Sequence, residues 1–127
     1  MTPRQDERVF TKLACFDAFL AEGFEAHLVA CGIGHLVFAG LYSDVCVDST
    51  ARTAFQKGRF VTVLADCTKS LHLADADILR YMSAVYGARV ATLDTADLWS
   101  APQSGGEGSW RVPPTQQPMP AWNPVSG

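Results

Sequence analysis

The sequence predicts an α/β domain, a parallel sheet with helices packed on both faces. Three observations point there. Short apolar, β-prone runs alternate along the chain with longer stretches of helical periodicity. The runs show no polar alternation, which is the mark of strands buried on both faces rather than one. Glycines follow the helical stretches, where a left-handed residue ends a helix most cheaply. Together these describe a sheet threaded by helices, the arrangement that buries both kinds of element at once.

The elements follow in order. Val9-Phe10-Thr11 is a short strand candidate. Glu22 to Cys31 places Phe24, His27, Leu28 and Cys31 at helical spacing, and Gly32 stands where a C-terminal cap belongs. Leu36-Val37-Phe38-Ala39 is a strand-length apolar run closed by Gly40. Cys46 to Lys57 reads as a helix with Val47, Thr50, Ala51 and Ala54 on its inner face, ended by Gly58. Val61-Thr62-Val63-Leu64-Ala65 is β-branched and apolar, a second buried strand. Leu73 to Tyr86 carries an apolar stripe of Ala74, Ile78, Tyr81, Met82 and Val85, and Gly87 ends it. Val90 to Leu93 is a third strand, and Asp94 to Trp99 a short last helix.

Composition changes after Trp99. Residues 101–127 hold six of the seven prolines and four of the ten glycines, with one acid and one base. Such a segment cannot sustain a helix or a central strand. The expected organisation is a domain over 1–100 and a Pro/Gly-rich flexible tail over 101–127.

At 127 residues and 48% apolar content, the chain is long enough for one domain with a real core. Its net charge is −3 and its basic residues are scattered, which argues against a nucleic-acid-binding face. No apolar run approaches the ~20 residues of a membrane span. Met1 to Arg8 is polar, unlike a signal peptide. A soluble, cytoplasmic protein is expected. None of the four cysteines forms a CxxC pair; Cys15, Cys31 and Cys67 read as reduced core thiols. His27, His35 and His72 lie far apart, so neither a metal nor another cofactor is expected.

In a parallel α/β sheet, ligands sit at the carboxyl ends of the strands. The segment following Ala39 therefore holds the chemistry: Gly40-Leu41-Tyr42-Ser43-Asp44-Val45-Cys46-Val47. A cysteine at a strand-to-helix turn has backbone N–H groups aimed at its sulfur, and the helix N-terminus favours thiolate. The same groups would hold an oxyanion formed by attack on a carbonyl. Position alone leaves a packed structural thiol as the alternative reading of Cys46. Asp44 reads as a helix cap, and Asp66 as a residue that fixes a loop. His72 and Asp75 read as capping and surface groups.

With Thr50-Ala51 and Ala54, this segment resembles the Gly-x-x-Thr-x-x-Cys-Val-x-x-Thr-Ala pattern of the isochorismatase-like cysteine hydrolases. That family includes nicotinamidases and other small-amide amidohydrolases. The likeness extends back through Gly32-Ile33-Gly34-His35-Leu36 to Lys12 and Phe16-Asp17-Ala18-Phe19, and forward through Asp66 to Gly87-Ala88-Arg89-Val90. It covers roughly residues 9–98.

The resemblance implies a hydrolase that attacks a small amide, such as nicotinamide or a ureido compound, and forms a thioester on Cys46. Lys12 would lie beside the sulfur and stabilise charge. A cis peptide between Leu41 and Tyr42 would aim the N–H groups of Tyr42 and Cys46 at the oxyanion. Phe16, Phe19, Tyr42 and Ser43 would line the substrate pocket. Ser43 keeps the hydroxyl of the family threonine, whereas Tyr42 replaces a small residue and would reshape the pocket. Members that cleave isochorismate lack the cysteine, so Cys46 points to amide hydrolysis.

The family domain opens with a strand bearing a catalytic Asp, and only eight residues precede the lysine strand here. The chain is therefore expected to lack the N-terminal part of the domain. That leaves a second expectation open, a catalytically inactive relative acting as an interaction or assembly module. A homo-oligomer is expected in either case.

Overall fold

Three parallel strands carry the structure, which is a computed structural model describing residues 2–95. They are β1 (His35–Leu41), β2 (Phe60–Lys69) and β3 (Arg89–Ala91), hydrogen-bonded in the order β1-β2-β3. Three helices accompany them: α1 (Phe24–Ala30), α2 (Asp48–Gln56) and α3 (Asp75–Tyr86). A short 3₁₀ turn spans Ala18–Leu20, and a wide π-helical turn, Ser43–Val47, joins β1 to α2.

The parallel α/β architecture is the one the sequence predicts. With the strands in sequential order, crossovers of the one usual hand place α2 and α3 on the same face of the sheet. The main core confirms that placement: Val47, Ala51, Ala54 and Phe55 meet Val61 and Val63 of β2 and Ile78, Met82 and Tyr86 of α3. Val63, Met82, Ala51 and Ala54 are fully buried. A buried Val or Met side chain contributes about 1.5–3 kcal/mol each through lost apolar hydration. The opposite face carries a smaller cluster, Leu64 and Ala91 with Val37 and Cys67.

The inner face expected of the Cys46–Lys57 helix is buried at all four positions, Val47 at the end of the turn and Thr50, Ala51 and Ala54 within α2, which starts at Asp48. In α3 the buried stripe is Ile78, Met82 and Tyr86, at spacing i, i+4, i+8. Tyr81 and Val85, expected inside, are exposed, and Tyr81 instead offers its ring to the Arg52 guanidinium 5.5 Å away. Gly32, Gly58 and Gly87 all adopt positive φ just beyond a helix, as expected of C-terminal caps. α1 begins at Phe24 rather than Glu22 because Gly23, at φ 78°, takes the cap position.

Other boundaries move for physical reasons. Val9-Phe10-Thr11 is not a strand; no neighbour offers it a ladder, and Phe10 packs edge-to-face on Phe24 and tilted against His27, each centroid 5.4 Å away. Gly40 does not close β1. It sits inside the strand at φ 107°, where the register slips from Phe38↔Val63 to Gly40↔Thr68. This bulge lets β1 run on to Leu41 and turn its end toward α2. β2 continues past Ala65 because Thr68 and Lys69 still pair with Gly40 and Leu41. α3 starts at Asp75, after Ala74, because residues 70–73 are held elsewhere. β3 is Arg89–Ala91 rather than Val90–Leu93, the chain folding at Thr92 into a turn with Thr95 N–H bonded to its carbonyl. The expected helix over Asp94–Trp99 lies mostly outside the described residues, and the tail over 101–127 wholly so.

Candidate active site

β1 delivers the chain to a cis Leu41–Tyr42 peptide and then to the wide turn that carries Cys46. Backbone bonds define that turn. The Tyr42 carbonyl accepts the amides of Val45 and Val47, both at 3.1 Å, and the Asp48 amide returns to the Ser43 and Val45 carbonyls. Cys46 is thereby placed half-buried at the carboxyl end of β1, immediately ahead of α2. Ser43 is 1% exposed and its hydroxyl has no hydrogen-bond partner, an unusual state for a buried polar atom.

The segment bearing Lys12 is tied to this turn by two hydroxyls on α2. Thr50 Oγ1 donates to the Cys46 carbonyl at 2.9 Å and accepts the Ala18 amide at 3.0 Å. Thr53 Oγ1 donates to Asp17 Oδ2, while Asp17 Oδ1 caps the following turn by accepting Phe19 N–H at 2.9 Å. Lys12 Nζ donates to the carbonyls of Cys15 and Phe16, each at 2.7 Å, and shares no hydrogen bond with Cys46. Phe16 is exposed. Phe19 packs against the main core, with Lys57 and Arg59 over its ring at 5.6 and 5.7 Å. Tyr42 is exposed at the rim.

Asp44 corrects an expectation: it caps no helix. Its carboxylate accepts the amides of Leu71 at 2.8 Å, His72 at 2.7 Å and Leu73 at 3.0 Å. Desolvation works to raise its pKa, but these three bonds outweigh it and hold the carboxyl well below the usual range. Asp75 fastens the same segment from the other end by accepting Ser70 N–H at 2.8 Å and the Lys69 ammonium. Asp66 holds a loop as expected, accepting the Leu93 amide at 3.2 Å.

The thiols also differ from expectation, since none is fully buried. Cys31 is exposed at the end of α1, where its neighbours face solvent, and Cys15 and Cys67 are half-buried. Desolvation, and then the Asp66 carboxylate, raises the Cys67 pKa. All four cysteines are free. Among the described residues no group of three or more His, Cys, Asp or Glu is placed to hold a metal ion, and no helix is long and apolar enough to cross a membrane. A hollow of about 590 Å³ lined by Val9, Phe10, Phe24, His27, Leu28 and Ile33, among others, includes none of the candidate site residues.

Two groups that sequence reading did not single out anchor the head of α2. Asp48 accepts Arg52 Nη2 at 2.8 Å and Tyr86 Oη at 2.9 Å, which joins α3 to the residue two places after Cys46. Burial, and then the Asp48 charge, drives the Tyr86 phenol well above its ordinary pKa, so it remains a donor.

A parallel sheet whose strand ends in a cysteine-bearing turn at a helix head places the chain among the α/β domains, whose ligands bind at the strands' carboxyl ends. The comparisons narrow the class. The family model of the Isochorismatase domain matches residues 1–95, and the chain belongs to that family. It is 38% identical over 68 residues to the ureidoacrylate amidohydrolase RutB of Pseudomonas syringae pv. syringae, covering 54% of this chain and 27% of that protein. Among solved structures, it resembles N-carbamoylsarcosine amidase from Thermoplasma acidophilum, with TM-score 0.68 and 28% identity over 72% of this chain and 51% of that one. It also resembles nicotinamidase PncA from Bacillus subtilis, with TM-score 0.57 and 29% identity over 61% and 43% of the two chains. The chain thus spans between about a quarter and a half of the length of these relatives.

Proposed function

We propose that the chain carries the nucleophile half of a small-amide hydrolase site, with Cys46 attacking the amide carbonyl. The observation that carries the reading is the placement of Cys46, half-buried in the β1–α2 turn of an isochorismatase-family domain. The named relatives are hydrolases of ureidoacrylate, N-carbamoylsarcosine and nicotinamide.

In this mechanism the Cys46 sulfur adds to the carbonyl carbon, and the N–H groups of Tyr42 and Cys46 hold the oxyanion. The intermediate collapses with cleavage of the C–N bond, and the amine departs with the proton given up by the thiol. Water then adds to the thioester, releasing the acid and returning a proton to the sulfur. Lys12 serves as the nearby cation, its segment being coupled to the Cys46 carbonyl through Ala18 and Thr50. Phe16, Phe19, Tyr42 and Ser43 contribute the pocket, Ser43 from beneath its surface, since its hydroxyl is buried.

A specific observation also favours the second reading, a non-catalytic assembly module. Among the described residues, no carboxylate or imidazole is hydrogen-bonded to Cys46, and β1 pairs with β2 alone. A strand with one open edge is a ready site for association, so a homo-oligomer in the cytoplasm fits either reading. Ammonia release from a panel of small amides and ureides decides between them. Release that disappears in Cys46→Ala is expected of the hydrolase; no release from any member leaves the assembly reading.

A further inference from the structure

Apolar side chains stand exposed beside the Cys46 turn. β1 and β2 finish side by side, Leu41 being paired with Lys69, so the residues that leave both strands border the same end of the sheet. There Leu41 is 60% exposed, Leu71 51% and Leu73 55%, and Tyr42, which follows Leu41, is also exposed. Three large aliphatic side chains left in water, one on the last residue of β1 and two on the loop after β2, cost hydration free energy.

Their backbone is nonetheless fixed. The Asp44 carboxylate, two residues from Cys46, takes the three consecutive amides of Leu71, His72 and Leu73. A carboxylate so engaged makes charge-assisted bonds about twice as strong as neutral ones. Asp75 secures Ser70 at the base of the same segment. The fold thus spends two acids on holding an exposed apolar segment next to the candidate nucleophile, where a solvated loop would need neither.

We propose that Leu71 and Leu73, held against the Cys46 turn by Asp44, form an apolar wall of the candidate active site, so that it takes small amides bearing an apolar substituent. This deepens the amide-hydrolase reading, and it makes Asp44 a positioning residue rather than a catalytic one. The apolar group of the ligand lies along Leu41, Leu71 and Leu73 while its carbonyl meets Cys46.

The test compares alkylation of the intact chain by iodoacetamide and by its N-phenyl derivative, with each cysteine quantified by peptide mass. The N-phenyl preference at Cys46 is divided by that at exposed Cys31. The expected quotient is about tenfold, the yield of covering roughly 55 Å² of ring at the usual free energy per area. In the Leu71→Ala/Leu73→Ala double variant, whose changes are on the surface, it falls to roughly threefold or less, as the bulk of that contact is removed. In Asp44→Ala the quotient falls with both leucines in place, and hydrogen exchange at the 71–73 amides accelerates; Asp44→Asn, which keeps an acceptor oxygen, retains part of each.

A quotient near one in the native chain overturns the proposal, as does a quotient that survives the double leucine variant. Unchanged exchange at 71–73 in Asp44→Ala overturns the positioning role. A general loosening would raise all four cysteines together, and the quotient removes it. Failure of the hydrolase reading shows elsewhere, as ordinary Cys46 alkylation rates and no amide turnover; a preserved tenfold preference under those conditions still supports the wall.

Discussion

Replacing Tyr86 by phenylalanine removes a single oxygen from the joint between α3 and the head of α2. That oxygen donates to Asp48 Oδ1 at 2.9 Å, and Arg52 occupies Oδ2 at 2.8 Å. Phenylalanine keeps the ring against Phe55, 5.9 Å between centroids, and under Arg52 at 5.8 Å, so packing is preserved and only the hydrogen bond is lost. A bond to a charged partner is worth about 1.5–3 kcal/mol net. The Asp48 side chain is 16% exposed and Tyr86 4%, so water replaces the lost donor poorly, though Arg52 still compensates the charge. The expected cost is therefore about 2 kcal/mol, near the middle of that range. For a domain of this size it lowers Tm by about 8–16 °C. Urea unfolding followed by circular dichroism checks it, the midpoint moving with an unchanged slope. In an Asp48→Ala background the same substitution should cost under ~0.5 kcal/mol, because the acceptor is gone. A cost that small in the native background, or equal costs in both, would refute the reasoning.

Two further outcomes follow from the same geometry. His35 Nε2 lies 2.8 Å from Thr62 Oγ1, and desolvation, then Arg89, lowers its pKa. Between that lowered value and the unfolded ~6.5, the unfolded chain binds more protons, so stability rises with pH across the window and declines as pH falls below ~6.5. His35→Gln should flatten the slope of Tm between pH 7.5 and 5.5, conditions chosen to bracket the ordinary His pKa of ~6.5; an unaltered slope would assign it to other groups. Thr50→Val is nearly isosteric and deprives both the Ala18 amide and the Cys46 carbonyl of a partner. It should cost about 1–3 kcal/mol by denaturant unfolding and shift the Cys46 alkylation rate while leaving that of Cys31 unmoved. A loss of stability with no change at Cys46 would mean that the hydroxyl supports the fold alone.

The features legible in the sequence are those set by neighbours along the chain. The four inner positions expected of the Cys46–Lys57 helix repeat at helical spacing and are all buried, and the left-handed glycines mark where α1, α2 and α3 stop. The errors arise where a distant contact overrules local periodicity. Tyr81 fits the apolar stripe of α3, yet the face turned to the core is that of Ile78, Met82 and Tyr86, which leaves Tyr81 at the helix flank against Arg52 of the neighbouring helix. Gly40 reads as a terminator because a strand interior disfavours glycine, whereas the mismatch of five residues in β2 against two in β1 requires a bulge there. Val9–Thr11 has strand composition, and composition does not supply a neighbouring edge.

The candidate site divides along the same line. That Tyr42, Ser43 and Cys46 share one turn was legible because the turn is continuous in sequence and lies where a strand must give way to a helix. The role of Asp44 was not, although it stands in the same turn. Its partners are 27 to 29 residues away and are backbone amides, which every residue but proline possesses, so no side-chain pattern at 71–73 announces them. Read locally, an acid before a helix is a cap, and that reading is the better one unless another segment brings stronger donors. Three amides converging on one carboxylate outweigh the one or two orphan N–H groups a cap would satisfy. The acid is therefore drawn away from its own helix to the loop of the next strand. The local signal identifies where the candidate cysteine stands; what surrounds it depends on which distant backbone the turn's side chains capture.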